Sequence, residues 1–115
     1  MELKHIYPVF VKRMPRELNE NTLYICLEGR SMVHLCPCGC GNVVVLPLDK
    51  DYWSFEFDGE SISLRPSIGN FQFPCKSHYW IDKNCVRWAL DSEVSKKKRR
   101  VKYRFIDKLK SLFNR

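Results

Sequence analysis

Met32-Val33-His34-Leu35-Cys36-Pro37-Cys38-Gly39-Cys40-Gly41-Asn42-Val43-Val44-Val45-Leu46 is the stretch on which the fold turns. Its centre is a cysteine, proline and glycine cluster, and its flanks are apolar and rich in β-formers. Met32–Cys36 reads as a short strand running into the cluster, and Asn42–Leu48, with three consecutive valines, as the strand returning from it. The pair predicts a hairpin with the cysteines at its tip. Three alternating cysteines among glycines have little packing value, whereas thiolates that converge on one centre are ligands for a soft metal ion.

Working outward, the same short-strand grammar recurs. Before the hairpin, Thr22–Glu28 carries Thr22, Tyr24 and Ile25 and reads as a strand, closed by the turn Glu28-Gly29-Arg30-Ser31. A further short strand fits Tyr7–Lys12. After the hairpin, Trp53, Phe55 and Phe57 alternate with Ser54 and Glu56 across Tyr52–Phe57. Asp58-Gly59 supplies a hairpin turn, and Ser61–Leu64 alternates again with Ile62 and Leu64 on the apolar side. Arg65–Pro74, with Pro66, Gly69, Asn70 and Pro74, reads as a loop. His78–Ile81 and Cys85–Leu90 form another hairpin around Asp82-Lys83-Asn84. The last segment changes period: Val101, Phe105, Leu109 and Leu112 recur at helical spacing, widened by Ile106 and Phe113. The expectation is a mainly β (α+β) fold, a small zinc-pinned domain of antiparallel hairpins over residues 1–93. A basic linker and C-terminal amphipathic helix follow over residues 94–115.

Bulk properties agree with that division. A chain of 115 residues fits one domain, and 7 Phe, 5 Tyr and 3 Trp are enough to fill a modest core. The net charge of +7 is unevenly spread, because residues 94–115 hold half of the 20 Lys/Arg and only one of the 13 acids, Asp107. Such asymmetry marks an interaction tail. Met1-Glu2-Leu3-Lys4-His5 carries no long apolar run of the kind a signal peptide needs, and no stretch is long enough to span a bilayer. The expectation is a cytoplasmic protein with reduced thiols, in which six cysteines read as metal ligands or reactive thiols before disulfides.

A second turn completes the ligand set. Cys75-Lys76-Ser77-His78 is a C-x-x-H behind the stiffening Pro74. Zinc takes four Cys or His ligands in a tetrahedron, and Cys36, Cys38, Cys40, Cys75 and His78 are five candidates for four places. Spacing does not choose among them. A Rieske-type iron–sulfur centre also joins a C-x-x-H to a cysteine-bearing turn, but the first turn here lacks its C-x-H order. The plainer alternative is a group of buried thiols with a core histidine. Cys26 and Cys85 read as core thiols, and His34 as a structural histidine, with a support for the cluster or an alternative ligand as its other readings.

Taken together, His34-Leu35-Cys36-Pro37-Cys38-Gly39-Cys40-Gly41, Trp53, Phe55, Ile62-Ser63-Leu64-Arg65-Pro66-Ser67-Ile68-Gly69-Asn70, Pro74-Cys75-Lys76-Ser77-His78-Tyr79-Trp80-Ile81 and Trp88 carry a resemblance. Over about residues 22–90 the chain resembles a small bacterial family of metal-binding domains encoded beside E1-like, E2-like and ubiquitin-like proteins, in conjugation systems tied to phage defence. The resemblance implies a metal-binding protein, a ubiquitin-like protein or E1/E2-like enzymes as partners, and a peptidase that processes or removes a ubiquitin-like protein. It does not reach the basic tail.

The residues allow a catalytic arrangement of their own. Ser67, in the Pro- and Gly-bounded loop, is a candidate nucleophile with His78 as base, and with Asn70 or backbone N–H groups as an oxyanion hole. This competes with His78 as a metal ligand, since a metal-bound imidazole cannot also act as a general base. The plain alternative has Ser67 and Asn70 bonding the loop backbone. The tail, Lys96-Lys97-Lys98-Arg99-Arg100 and the helix after it, suits an acidic protein surface, nucleic acid or an anionic membrane surface; the plain alternative is a solvated charge run followed by a docked terminal helix. Two functions follow: a zinc-binding hydrolase acting on a ubiquitin-like protein, or a non-enzymatic zinc-binding adaptor that recruits a partner through its tail.

Overall fold

Alternating side chains on short runs of β-formers produce nine strands in the computed structural model, which describes residues 4–92. They are β1 (Tyr7–Phe10), β2 (Thr22–Cys26), β3 (Ser31–Leu35), β4 (Val43–Pro47), β5 (Ser54–Phe57), β6 (Ile62–Arg65), β7 (Ile68–Asn70), β8 (Ser77–Asp82) and β9 (Cys85–Trp88). No helix occurs among the described residues. The helix and basic tail expected over residues 94–115 lie outside them.

The strands form three sheets: β1-β2-β3-β4, the pair β5-β6, and β7-β8-β9. Every pairing is antiparallel except β1 with β2, where Tyr7 lies opposite Thr22 and Phe10 opposite Ile25 in parallel register. A parallel neighbour cannot be joined by a tight turn, and residues 11–21, with Pro15, make the crossover. The expected hairpin stands, with Leu35 opposite Val43 and Ser31 opposite Pro47, so the cysteine turn closes the β3–β4 end. Arg65–Pro74 departs from the expected loop. Its middle pairs as β7, with Ile68 opposite Tyr79, Gly69 opposite His78 and Asn70 opposite Ser77. A three-residue strand containing glycine carries almost no period, so only the partner strand defines it.

Leu23, Ile25, Met32, Leu46, Ile62, Leu64, Ile68, Tyr79 and Ile81 are all but fully buried in one core shared by the three sheets. Burying an aliphatic side chain of this size contributes about 1.5–3 kcal/mol. In β8 the two-residue period is complete: Ser77, Tyr79 and Ile81 are buried, while His78, Trp80 and Asp82 are half-buried. That alternation sends Ser77 and His78, neighbours in sequence, to opposite faces, and it separates the two sites described next.

Candidate active site and four-cysteine cluster

The β3–β4 turn supplies three thiols and the β7–β8 turn a fourth. Gly39 and Gly41 stand at φ of +89° and +83°, a left-handed backbone that bends the first turn back on itself. Lys76, at φ +44°, turns the chain between Cys75 and β8. The sulfurs of Cys36, Cys38, Cys40 and Cys75 then all lie within 4.8 Å of one another. The Cys36–Cys38 separation is 3.4 Å, and those of Cys36–Cys75 and Cys40–Cys75 are both 3.8 Å. All are free thiols, and a four-sulfur group this tight is compatible with a metal ion.

The electrostatics of the group are mixed. Burial pushes the Cys36 thiol up, against the hydrogen bond from Ser77. Burial likewise raises Cys38, which also donates to the neighbouring thiol Cys40. At Cys40, burial opposes ionisation, but hydrogen bonding with Asn42, Cys38 and Cys75 outweighs it and brings the thiol down to about 7. The group therefore already favours a thiolate at its exposed corner, the form that binds metal.

His78 is not part of this group. The Ser77 hydroxyl faces the cluster, 3.3 Å from Cys36 Sγ, so the strand period turns the next side chain away. Of the five candidates, the four cysteines are brought together and His78 stands apart from them. Cys26 bonds Lys12 O and Gly29 N instead, at 3.4 and 3.3 Å.

On the outer face His78 meets Ser67. A two-residue link, Pro66-Ser67, joins β6 to β7, with a cis peptide between Arg65 and Pro66. Ser67 Oγ lies 2.9 Å from His78 Nε2. The other ring nitrogen, Nδ1, lies 2.7 Å from Asp91 Oδ1. Serine, imidazole and carboxylate thus stand in line, the constellation in which a carboxylate holds the imidazole so that Nε2 can take the serine proton. The His78 side chain is 20% exposed and that of Asp91 59%. Phe71 and Trp80 flank the ring, with centroids 5.3 and 5.7 Å away. The absence of a side chain at Gly69 matters here, since a Cβ would stand 2.6 Å from Phe71 Cε2.

Asn70 does not face this site. It is buried, and its amide nitrogen donates to Ser77 Oγ at 2.9 Å and to Tyr79 Oη at 3.5 Å. Tyr79 in turn pairs with His34 Nε2 at 2.6 Å. Burial pushes His34 down to about 3, so its imidazole is neutral, and holds Tyr79 far above the ordinary phenol range. Cys36, Ser77, Asn70, Tyr79 and His34 form one buried polar chain that ties the thiol cluster to the back of the β7–β8 hairpin. The front of that hairpin bears His78, with Ser67 at its entrance.

Asp91 is the residue that sequence reading missed. It sits past β9 in Ala89-Leu90-Asp91-Ser92, a segment with no motif around it. A Ser…His…Asp order was available in the sequence, but so were several other acids.

The model of a bacterial ubiquitination-like system serine protease family (BubE) matches residues 10–89. All four clustered cysteines, Ser67 and His78 fall inside the match; Asp91 follows it by two residues. No curated protein and no solved structure matches the chain. Among the described residues no helix is long and apolar enough to cross a membrane.

Proposed function

We propose, from the premise that the chain belongs to the bacterial ubiquitination-like system serine protease family, that it is a serine peptidase acting on a ubiquitin-like protein or its conjugate. Ser67 is the nucleophile, His78 the general base and then acid, and Asp91 the group that orients His78. The observation carrying this reading is the Ser67 Oγ–His78 Nε2–Nδ1–Asp91 Oδ1 line, at 2.9 and 2.7 Å.

In this mechanism Ser67 Oγ attacks the scissile carbonyl as its proton passes to His78 Nε2. Asp91 accepts a hydrogen bond from Nδ1–H and stabilises the imidazolium that forms. The tetrahedral intermediate collapses as the C–N bond breaks, and His78 gives the proton to the leaving amine. Water then attacks the acyl-Ser67 ester with His78 as base, releasing a carboxylic acid and restoring the serine. The Asn70 amide is committed to Ser77 and Tyr79 and so does not serve as an oxyanion donor.

Zinc suits the four thiols. With Zn–S of about 2.3 Å, a tetrahedral site has S–S edges of about 3.8 Å, the separation seen for Cys75 with Cys36 and with Cys40. Four sulfur ligands close the coordination shell, so the ion would be structural, pinning the β3–β4 hairpin to the β7–β8 hairpin.

The test is covalent. A fluorophosphonate probe should add one mole to the wild-type chain at Ser67, read by intact mass and peptide mapping, and none to Ser67→Ala of unchanged circular dichroism. A folded wild type that fails to react, and that cleaves no ubiquitin-like fusion from its own gene neighbourhood, would leave a non-enzymatic metal-binding adaptor as the better reading.

A further inference from the structure

We infer that Ser92 is the positioning residue of the triad, acting through Asp91. This rests on the serine peptidase reading above.

Asp91 has an incongruous setting for a residue that must hold an imidazole. Its carboxylate is more than half exposed, and a hydrogen bond to so open a carboxylate competes with water and holds the side chain only weakly. Something other than the pair must fix its place. The backbone does so by folding the segment back onto the residue that Asp91 serves. Ala89 N donates to His78 O at 2.8 Å, and Ser92 N donates to Ala89 O at 3.1 Å, closing a turn with Leu90 and Asp91 at its centre. Ser92 Oγ then accepts the backbone N–H of His78 at 3.2 Å.

Both polar backbone groups of His78 are thereby held by the turn that presents Asp91. Ala89 grips the carbonyl from one end and Ser92 grips the N–H from the other, while the Asp91 carboxylate reaches the ring between them. Ser92 is fully buried whereas its neighbour is exposed. A serine buried at a chain turn needs its oxygen satisfied, and this one spends it on the base of the triad. Without that oxygen, the His78 N–H loses its acceptor and the turn keeps only the Ala89 end. The carboxylate is then free to swing into solvent, and the imidazole loses the partner that sets its tautomer.

The experiment uses the full-length protein with Ser92→Ala, Ser92→Thr, Asp91→Ala and the Ser92→Ala/Asp91→Ala pair. Two readouts are compared at a temperature where all four are folded by circular dichroism. The first is the rate of fluorophosphonate labelling at Ser67. Ser92→Ala should slow it about 100-fold, the scale of a misplaced catalytic group. Ser92→Thr, which keeps the oxygen, should recover most of the rate. The double variant should label no more slowly than Asp91→Ala alone, because two residues acting through one contact do not add. The second readout needs no catalysis: the low-field proton resonance of the His78 Nδ1–H in ¹⁵N-labelled protein. It should be present in the wild type and in Ser92→Thr, and lost in both Ser92→Ala and Asp91→Ala. Retention of that resonance in Ser92→Ala, or full additivity of the two substitutions in labelling rate, would overturn the role given to Ser92. A wild type that shows the resonance but never reacts with the probe would instead count against the peptidase reading and leave the positioning contact standing.

Discussion

Asp91→Asn separates catalysis from stability. The substitution keeps the size and shape of the side chain and removes its charge. In the native protein Asp91 Oδ1 stands 2.7 Å from His78 Nδ1, with the aspartate side chain 59% exposed and the histidine 20% exposed. As an exposed pair it contributes only about 0.2–1 kcal/mol to folding, so thermal unfolding should shift by no more than a few degrees. Its catalytic effect is of another size. An asparagine can present N–H to Nδ1 and so favour the tautomer with the proton on Nε2, which then cannot accept the proton of Ser67, 2.9 Å away. Losing the orienting carboxylate of a serine triad lowers turnover by up to about 10⁴-fold. Because Asp91 is open to water, a loss of about 10²–10⁴-fold is expected, or about 2.7–5.4 kcal/mol of transition-state stabilisation. The assay is the second-order rate of fluorophosphonate labelling, beside thermal unfolding followed by circular dichroism. A labelling rate within about threefold of wild type, with the fold intact, would refute the reasoning and reduce Asp91 to a surface acid.

Two further outcomes can be checked on the same material. Chelation, or Cys75→Ser, should release bound metal measured by mass spectrometry, lower the unfolding temperature and abolish probe labelling together, since Cys75 lies on the turn that starts the strand bearing His78. Labelling that persists after complete metal loss would show that the hairpin holds the triad unaided. Asp58 tests the linkage of charge to folding in the β5–β6 turn. Hydrogen bonds from the Ser61 and Glu60 N–H groups and the Ser61 hydroxyl bring its carboxyl down to about 2. A folded-state pKa below the unfolded value contributes stability that is present above about pH 4 and is lost as pH falls towards about 2. The gap in unfolding temperature between wild type and Asp58→Asn should therefore be widest above about pH 4 and close towards about pH 2; a gap that stays constant would contradict it.

The cysteine cluster and the site histidine show how a local reading and a long-range one divide. The tip of the β3–β4 hairpin was legible because its signals are local: glycine for left-handed backbone, β-branched flanks for strands, and thiols at alternating positions that can converge only by bending the turn. The β5–β6 and β8–β9 hairpins were legible for the same reason, through Asp58-Gly59 and Asp82-Lys83-Asn84. Ser67 and His78 could be paired as a candidate nucleophile and base because each sits beside turn residues in a short span. The parallel placement of β1, the strand β7 and the pairing of Asp91 with His78 were not legible. Each depends on what lies opposite in another strand, and a three-residue element has no period of its own to announce it.

Sequence by itself determined the chain of short strands, the thiol-bearing turns and the residue types able to do chemistry, because turn chemistry and the two-residue period act over a few residues. Tertiary structure decided how those residues were divided. Once Ser77 turned inward to Cys36, the strand period carried His78 outward, away from the cysteines and towards Ser67. The turn after β9 then brought Asp91 to its other nitrogen. Which four residues share a centre, and which three share a line, are set by the register between strands far apart in the chain.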